Sequence, residues 1–359
     1  MQIGIVGLPN VGKSTLFKAL TKKQVDTSNY PFCTISPNVG VVAVPDERLD
    51  KLADLYHSEK IVPAAIEFVD IAGLVKNAHK GEGLGNQFLS HIREVDAIAH
   101  VIRNFQDENV THIAGKIEPE EDLNTIETEL AMADIATIEK ILNKTETKIK
   151  ANDKDAPGQK IILKNIIIAL DKGKKPDIAE LKDDEQKFIK GLSLLSLKPE
   201  LFIENIGEEQ LATDNKQLTT NDLKVNGPLI KICAKLEAEL SELSPEESQN
   251  YLQELSIKKT GLDQLIIESY KLLNLITFFT AGPKESHAWT ITNGTKAPAA
   301  AGKIHTDFEQ GFIRAEIINW KNLLDARGEI PAKEKGQMKI EGKDYIMRDG
   351  DVAYFRFSK

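Results

Sequence analysis

The sequence is short of cysteine, of long apolar runs and of positive charge, and each shortage removes a class of protein. Two cysteines in 359 residues, Cys33 and Cys233, cannot build a disulfide framework, so a reducing compartment is expected. No apolar run approaches the length needed to cross a bilayer, and the first residues read as a strand instead of a leader. A cytoplasmic chain without membrane contact is the expectation. The net charge of −9 argues against charge-driven coating of nucleic acid, and no DNA contact is expected, although a local basic patch stays open. Internal repeats and low-complexity tracts are absent as well. What is there, 41% hydrophobic and 28% charged residues, fits a folded chain long enough for two or three domains.

The order of apolar segments gives an organisation. Gln2 to Val6 is a compact apolar run ending at a glycine-rich turn, and Ser14 to Leu20 begins a helical pattern. Val39 to Val44, Ala65 to Val69, Ala97 to Ile102, Leu201 to Glu204 and Leu229 to Cys233 read as further buried strands. Strands separated by helices predict a mostly parallel α/β sheet covered on both faces. From Glu118 to Leu195 the character is different, with a stripe through Leu123, Ile126, Leu130, Ala133, Thr137, Ile138, Ile141 and Leu142 at helical spacing. Ile161 to Leu170 and Phe188 to Leu195 extend it, with Pro157-Gly158 and Lys175-Pro176 as breaks. Beyond Leu275 the pattern turns to short strands: Leu275 to Phe279, Ala288 to Thr292, Phe312 to Ile318 and Val352 to Phe357, with Asp349-Gly350 as a turn. The expected domains are residues 1–117 with 196–274, a helical insertion over 118–195, and a small α+β domain over 275–359.

The chemistry is concentrated at the first turn. Gly7-Leu8-Pro9-Asn10-Val11-Gly12-Lys13-Ser14 fits G-x-x-x-x-G-K-[ST] between a strand and a helix, the setting that makes this pattern specific. Glycines let backbone N–H groups face phosphate oxygens, and the helix start adds partial positive charge. Lys13 is the residue for the β- and γ-phosphates, and Ser14 the hydroxyl for Mg²⁺. Asp70-Ile71-Ala72-Gly73 ends a predicted strand about 60 residues on. There Asp70 is a candidate to hold Mg²⁺, and Gly73 to offer an N–H to a γ-phosphate. The glycine-rich stretch Lys80 to Gly85 reads as either a mobile switch or a plain loop, and Thr34 is the candidate second hydroxyl on the metal.

The runs GLPNVGKST, NYPFCTISPNVGVV, PDERLD, FVDIAGLVKNAHKGEGLGNQFLSHIRE and GTKAPAAAGKIHTDFEQGFIRAE together resemble the YchF-type, Obg-like P-loop ATPases over nearly the whole chain. The resemblance implies a discontinuous P-loop domain, an inserted antiparallel helical coiled coil, and a C-terminal β-grasp domain of the TGS, ubiquitin-like kind. It also implies an ATPase associated with the ribosome, either the large subunit or the whole particle. Carried over by residue, Asn10, Val11, Gly12, Lys13, Ser14 and Thr15 would contact the phosphates, and Ser14 and Thr34 the Mg²⁺. Asn205, Ile206 and Glu208 lie in the implied base-recognition segment, with the Ile206 backbone on the adenine. Ser36 stands where this family is expected to carry an acidic residue.

Two positions shape the mechanism. Leu74 follows Asp70-Ile71-Ala72-Gly73 where Ras-like hydrolases carry a water-orienting glutamine, so turnover is expected to be slow without an activator. His79 and His112 are the candidate replacements, with His112 preferred because it follows a strand's carboxyl end. Asn10 is either a K⁺ ligand, which would make K⁺ an activator beside Mg²⁺, or a turn residue. The lysines at 140, 144, 148, 150, 154, 160, 164, 172, 174 and 175 offer phosphate contact to RNA along the helical arm, with little aromatic interleaving for base stacking. The expected function is an ATPase that prefers ATP to GTP and couples nucleotide state to binding of a ribosome or related particle. The alternatives are a GTP-specific relative acting in ribosome assembly, and a binding module that scarcely hydrolyses its ATP.

Overall fold

The computed structural model describes residues 1–25, 37–71, 84–107, 110, 116–213, 223–255, 257 and 259–358. In chain order the strands are β1 (Gln2–Val6), β2 (Val39–Ala43), β3 (Lys60–Val62), β4 (Ala65–Asp70), β5 (Ala97–Asn104), β6 (Glu200–Ile206), β7 (Leu229–Ile232), β8 (Leu275–Thr280), β9 (Glu285–Thr292), β10 (Phe312–Asn319), β11 (Lys339–Glu341) and β12 (Asp351–Phe357). The helices used below are α1 (Lys13–Lys22), α2 (Glu47–Tyr56), α3 (Leu84–Glu94), α4 (Pro119–Lys150), α5 (Ala156–Asp171) and α6 (Asp183–Lys190). The chain separates into two compact units, 1–19 with 68–261 and 20–67 with 262–359.

In the first unit, β1, β5, β6 and β7 run parallel, with Val6 beside His100, Val101 beside Ile203 and Ile203 beside Ile230. The carboxyl end of β4 lies along the other side of β1, where the Ile71 N–H donates to the Ile5 carbonyl at 3.2 Å. Strands covered on both faces need apolar residues at consecutive positions, which is why these segments are mostly apolar runs. Ile3, Ile5, Val6, Ile98, Ile102, Leu201 and Ile203 have no exposed surface.

α4 has 32 residues, about 48 Å at the α-helical rise, and starts with Pro119, whose missing N–H costs nothing in a first turn. Its apolar stripe changes partner along its length. Ile126, Leu130 and Ala133 share a core with Phe88, Leu89 and Ile92 of α3 and with Ile71, the residue after β4. Further out, Ile138 packs with Leu163, Ile166 and Leu170 of α5 and Ile189 of α6. α5 folds back along α4, and the Lys160 ammonium meets Glu146 at 2.8 Å.

The expected helix over Phe188 to Leu195 is corrected in its second half. α6 stops at Lys190, Ser193 adopts a φ of 50°, and only a 3₁₀ turn follows at Leu195–Leu197. The cause is the fully buried Asp134 of α4, whose carboxylate accepts the Leu195 N–H at 2.9 Å, the Ser196 N–H at 2.8 Å and the Ser196 hydroxyl at 2.6 Å. Those N–H groups are therefore not available to a helix. Burial pushes the Asp134 carboxyl up, against the opposing pull of these hydrogen bonds.

In the second unit the strand order is β11-β10-β12-β8-β9-β3, over a core that includes Phe278, Ile291, Ala297, Ala301, Phe312 and Ile317. β3 was not anticipated from the sequence; it pairs parallel with β9 through Lys60, Ile61 and Val62. Asp349, in the expected turn, accepts the Thr277 N–H at 2.9 Å and pairs with Arg48 of α2 at 2.5 Å. Glu316 on β10 is ringed by Arg356 at 3.0 Å, Lys333 at 3.2 Å and Arg314 at 3.6 Å.

Candidate functional site

The phosphate loop joins the buried end of β1 to the start of α1. Its shape leaves no choice of residue at two points. A Cβ on Gly7 would stand 2.8 Å from the Val101 carbonyl oxygen and 2.9 Å from Val11 Cγ2. Gly12 has a φ of 92°, and a Cβ there would overlap the Asn205 amide. Asn10 holds a φ of 65°, in the left-handed region that asparagine tolerates better than most side chains. The first helical hydrogen bond runs from the Leu16 N–H to the Gly12 carbonyl at 3.0 Å. The N–H groups of the turn before it are the orphan donors that make a helix start an anion site.

The Lys13 ammonium pairs with the Asp70 carboxylate at the end of β4, the two side chains being 10% and 22% exposed. Sequence reasoning named both residues separately, and the fold brings them together beside the loop. Among the described residues no group of three or more His, Cys, Asp or Glu side chains could hold a metal by itself. The oxygen donors present, the Ser14 hydroxyl and the Asp70 carboxylate, suit an ion such as Mg²⁺ that takes few protein ligands and completes its shell from phosphate and water. Thr34, Gly73, Leu74, His79 and His112 lie outside the described residues.

The side chains of Asn205, Ile206 and Glu208, in the segment expected to recognise the base, all have partners within the protein. Asn205, 4% exposed, donates its amide to the Val11 carbonyl at 2.8 Å and accepts the Ala234 N–H at 3.0 Å. It therefore ties the phosphate loop to the segment after β7, and its side-chain groups are engaged within the protein. Ile206 is 3% exposed, so its side chain belongs to the core, and the Gly207 N–H donates to the Gln210 side chain at 2.7 Å. Glu208 opens the helix Glu208–Thr213, and its carboxylate pairs with the Lys235 ammonium at 3.0 Å. Near that pair, Thr15 and Lys18 of α1 with Lys235, Ala238, Glu239, Ser241 and Glu242 line an open cavity of about 260 Å³. Burial pushes the Cys233 thiol up, so it remains a packing group instead of a nucleophile.

Two features escaped the sequence reading. Lys235 had no motif to mark it, because its partner Glu208 is distant in sequence. Arg103 did carry a signal: it directly follows the run Ala97 to Ile102 within β5, yet is 1% exposed. Its guanidinium reaches the Asn10 carbonyl at 3.4 Å.

Comparison with known proteins bears on the whole chain. Residues 2–144 match the family model described as a 50S ribosome-binding GTPase, and residues 275–358 match the model for the YchF GTPase C-terminal region, described as a protein of unknown function. The chain is 50% identical to the ribosome-binding ATPase YchF of Bacillus subtilis, covering 99% of this chain and 98% of that one. It is 48% identical to the protein of the same name in Escherichia coli O157:H7, with the same shares covered. Among solved structures, the Schizosaccharomyces pombe YchF GTPase is similar with a TM-score of 0.87 and 38% identity, over 99% of this chain and 97% of that one.

Proposed function

The chain belongs to the YchF family, and from that premise we propose that it is a slow Mg²⁺-dependent ATPase that prefers ATP to GTP and couples nucleotide state to binding of the ribosome or a related RNA–protein particle. Names among its relatives divide between ATPase and GTPase, so the preferred base has to be argued from this chain's own residues. The observation that carries the preference is the Glu208–Lys235 ion pair. A guanine site needs a carboxylate facing the N1–H and the 2-amino group. Here the Glu208 carboxylate is already paired with the Lys235 ammonium, and the Asn205 side chain is engaged by Val11 and Ala234. Adenine needs a carbonyl and an N–H for its 6-amino group and N1, and backbone around Ile206 can supply them. A base that leaves buried polar groups unpaired loses about 1–3 kcal/mol for each.

In this reading Asn10, Val11, Gly12, Lys13, Ser14 and Thr15 cradle the phosphates, and Ser14, Thr34 and Asp70 hold the Mg²⁺. With Mg²⁺ held there, Asp70 would serve the metal and Lys13 would be the cation for the β- and γ-phosphates. Bound Mg²⁺ supplies charge neutralisation at the phosphates. His112 is proposed to orient the attacking water in place of the glutamine that Leu74 replaces. K⁺ at Asn10 would act as an activator. The lysines of the arm are proposed to meet RNA phosphates, and the arm over 118–195 and the TGS-like region over 275–359 to carry particle recognition. The cytoplasm is the proposed location.

Competition between ATP and GTP for a fluorescent ATP analogue tests the base preference, and tighter GTP binding overturns it. Cosedimentation with ribosomes, with and without ATP, tests the coupling. An equal bound fraction in both conditions removes it. Leu74 also favours the reading in which ATP is bound as a conformational ligand and scarcely hydrolysed. Single-turnover kinetics separate that from slow catalysis.

A further inference from the structure

Arg103 is the penultimate residue of strand β5 and is the bulkiest side chain in the described residues with under 2% exposure. Its guanidinium has an unusual set of partners. Nε donates to the Phe105 carbonyl at 3.2 Å, Nη1 to the Asn10 carbonyl at 3.4 Å, and Nη2 to the Val110 carbonyl at 3.0 Å and the Asp107 carbonyl at 3.5 Å. The cation also lies 4.4 Å from the centroid of the Phe105 ring. Among the described residues no carboxylate pairs with it; every acceptor is a main-chain carbonyl. Taking a cation out of water is expensive, and carbonyl dipoles solvate it without cancelling its charge. Packing alone would be met by an unbranched apolar side chain at lower cost.

We propose that Arg103 is a positioning residue for the nucleotide reaction, fastening the Asn10 peptide of the phosphate loop to the main chain at Phe105, Asp107 and Val110. The planar fork suits this work, because its donors leave in fixed, diverging directions and reach two backbone segments at once. A lysine at the same place has a single ammonium on a flexible stem and cannot hold both segments in fixed register. The consequence is reciprocal: a ligand that orders the phosphate loop must order the main chain at Phe105, Asp107 and Val110 as well. The uncancelled charge beside Asn10 also favours an anionic ligand over an empty loop.

Hydrogen exchange on the unmutated protein tests the linkage directly. A non-hydrolysable ATP analogue with Mg²⁺ is expected to protect Phe105–Asp107 and Val110 together with Asn10–Lys13. Protection of the loop with unchanged exchange after β5 overturns the proposal. Steady-state kinetics of R103M and R103K, each first checked for a cooperative melt, supply the second test. Both are expected to lower kcat by about tenfold or more, the scale of one lost hydrogen bond to a charged group, with a smaller change in KM. Methylguanidinium added to R103A is expected to return part of the lost turnover. A folded R103M or R103K with the parental kcat refutes the positioning role, and so does a loss confined to thermal stability.

Discussion

Replacing Asn205 by alanine tests how the phosphate loop is held. The Asn205 amide joins two segments about 220 residues apart in sequence, donating to the Val11 carbonyl at 2.8 Å and accepting the Ala234 N–H at 3.0 Å, with 4% of the residue exposed. Truncation leaves a carbonyl and an N–H without their partner in a buried setting. Each such group costs about 1–3 kcal/mol, so the first unit should lose about 2–6 kcal/mol, with the lower end reached if water enters the space. The loosened group is the Val11 peptide of the cradle itself, so nucleotide affinity should fall too, by about tenfold for each 1.4 kcal/mol expressed in the bound state. Asn205→Asp sharpens the expectation. It keeps an acceptor for Ala234 but turns a carboxylate towards the Val11 carbonyl, so it should bind nucleotide more weakly than the alanine variant. Both tryptophans, Trp289 and Trp320, lie in the second unit, so unfolding of the first is better followed by far-ultraviolet circular dichroism in urea than by tryptophan fluorescence. Nucleotide affinity is read by titration with a fluorescent ATP analogue. An Asn205→Ala protein within about 0.5 kcal/mol of the parent, with unchanged affinity, would show that the two hydrogen bonds are dispensable and the clamp is misread.

Gly12→Ala places a side chain on a φ of 92° and into the Asn205 amide, and should abolish nucleotide binding in equilibrium titration even where the protein still folds. Asp134→Ala strips the acceptor from the Leu195 and Ser196 N–H groups, and should lower unfolding stability by about 2–4 kcal/mol, with proteolysis at the base of the arm as a sensitive readout. The Glu316 carboxyl is held down to about 2 by hydrogen bonding from Arg356, reinforced by Lys333. A carboxyl depressed in the folded state stabilises above its unfolded pKa and loses that contribution as pH falls through its folded value. The second unit should therefore lose up to about 3 kcal/mol between pH 4.5 and 2. Melting followed at Trp320 over that range should show a flatter acid limb in Glu316→Gln, and an unchanged limb would count against the ring of cations.

Much of the fold and part of the site was written locally in the sequence. β1, the loop and α1 follow from an apolar run, two forced glycines and a helical stripe that are contiguous in the chain. The strands of the first unit show as mostly apolar runs because a parallel sheet buries both faces of each strand. α4 shows through spacing alone, since a long helix repeats its pattern often enough to be read. The pairing of Lys13 with Asp70 was legible only as two separate motifs, each naming one end of the contact.

Tertiary structure decided the rest, and for one physical reason: a partner that arrives from far along the chain leaves no trace in local periodicity. β3 is three residues long, too short to show a period, and exists as a strand because β9 offers it a hydrogen-bonding edge. Phe188 to Leu195 has a helical stripe, yet Asp134 takes the N–H groups that would have continued the helix, and a buried carboxylate outcompetes local propensity. Local spelling does not show that the Asn205 and Glu208 side chains are engaged by Val11, Ala234 and Lys235, which the order of strands in the sheet brings to them. The sequence determined that a phosphate loop would form and where. The packing of β5, β6 and β7 beside it determined which side chains hold that loop in shape.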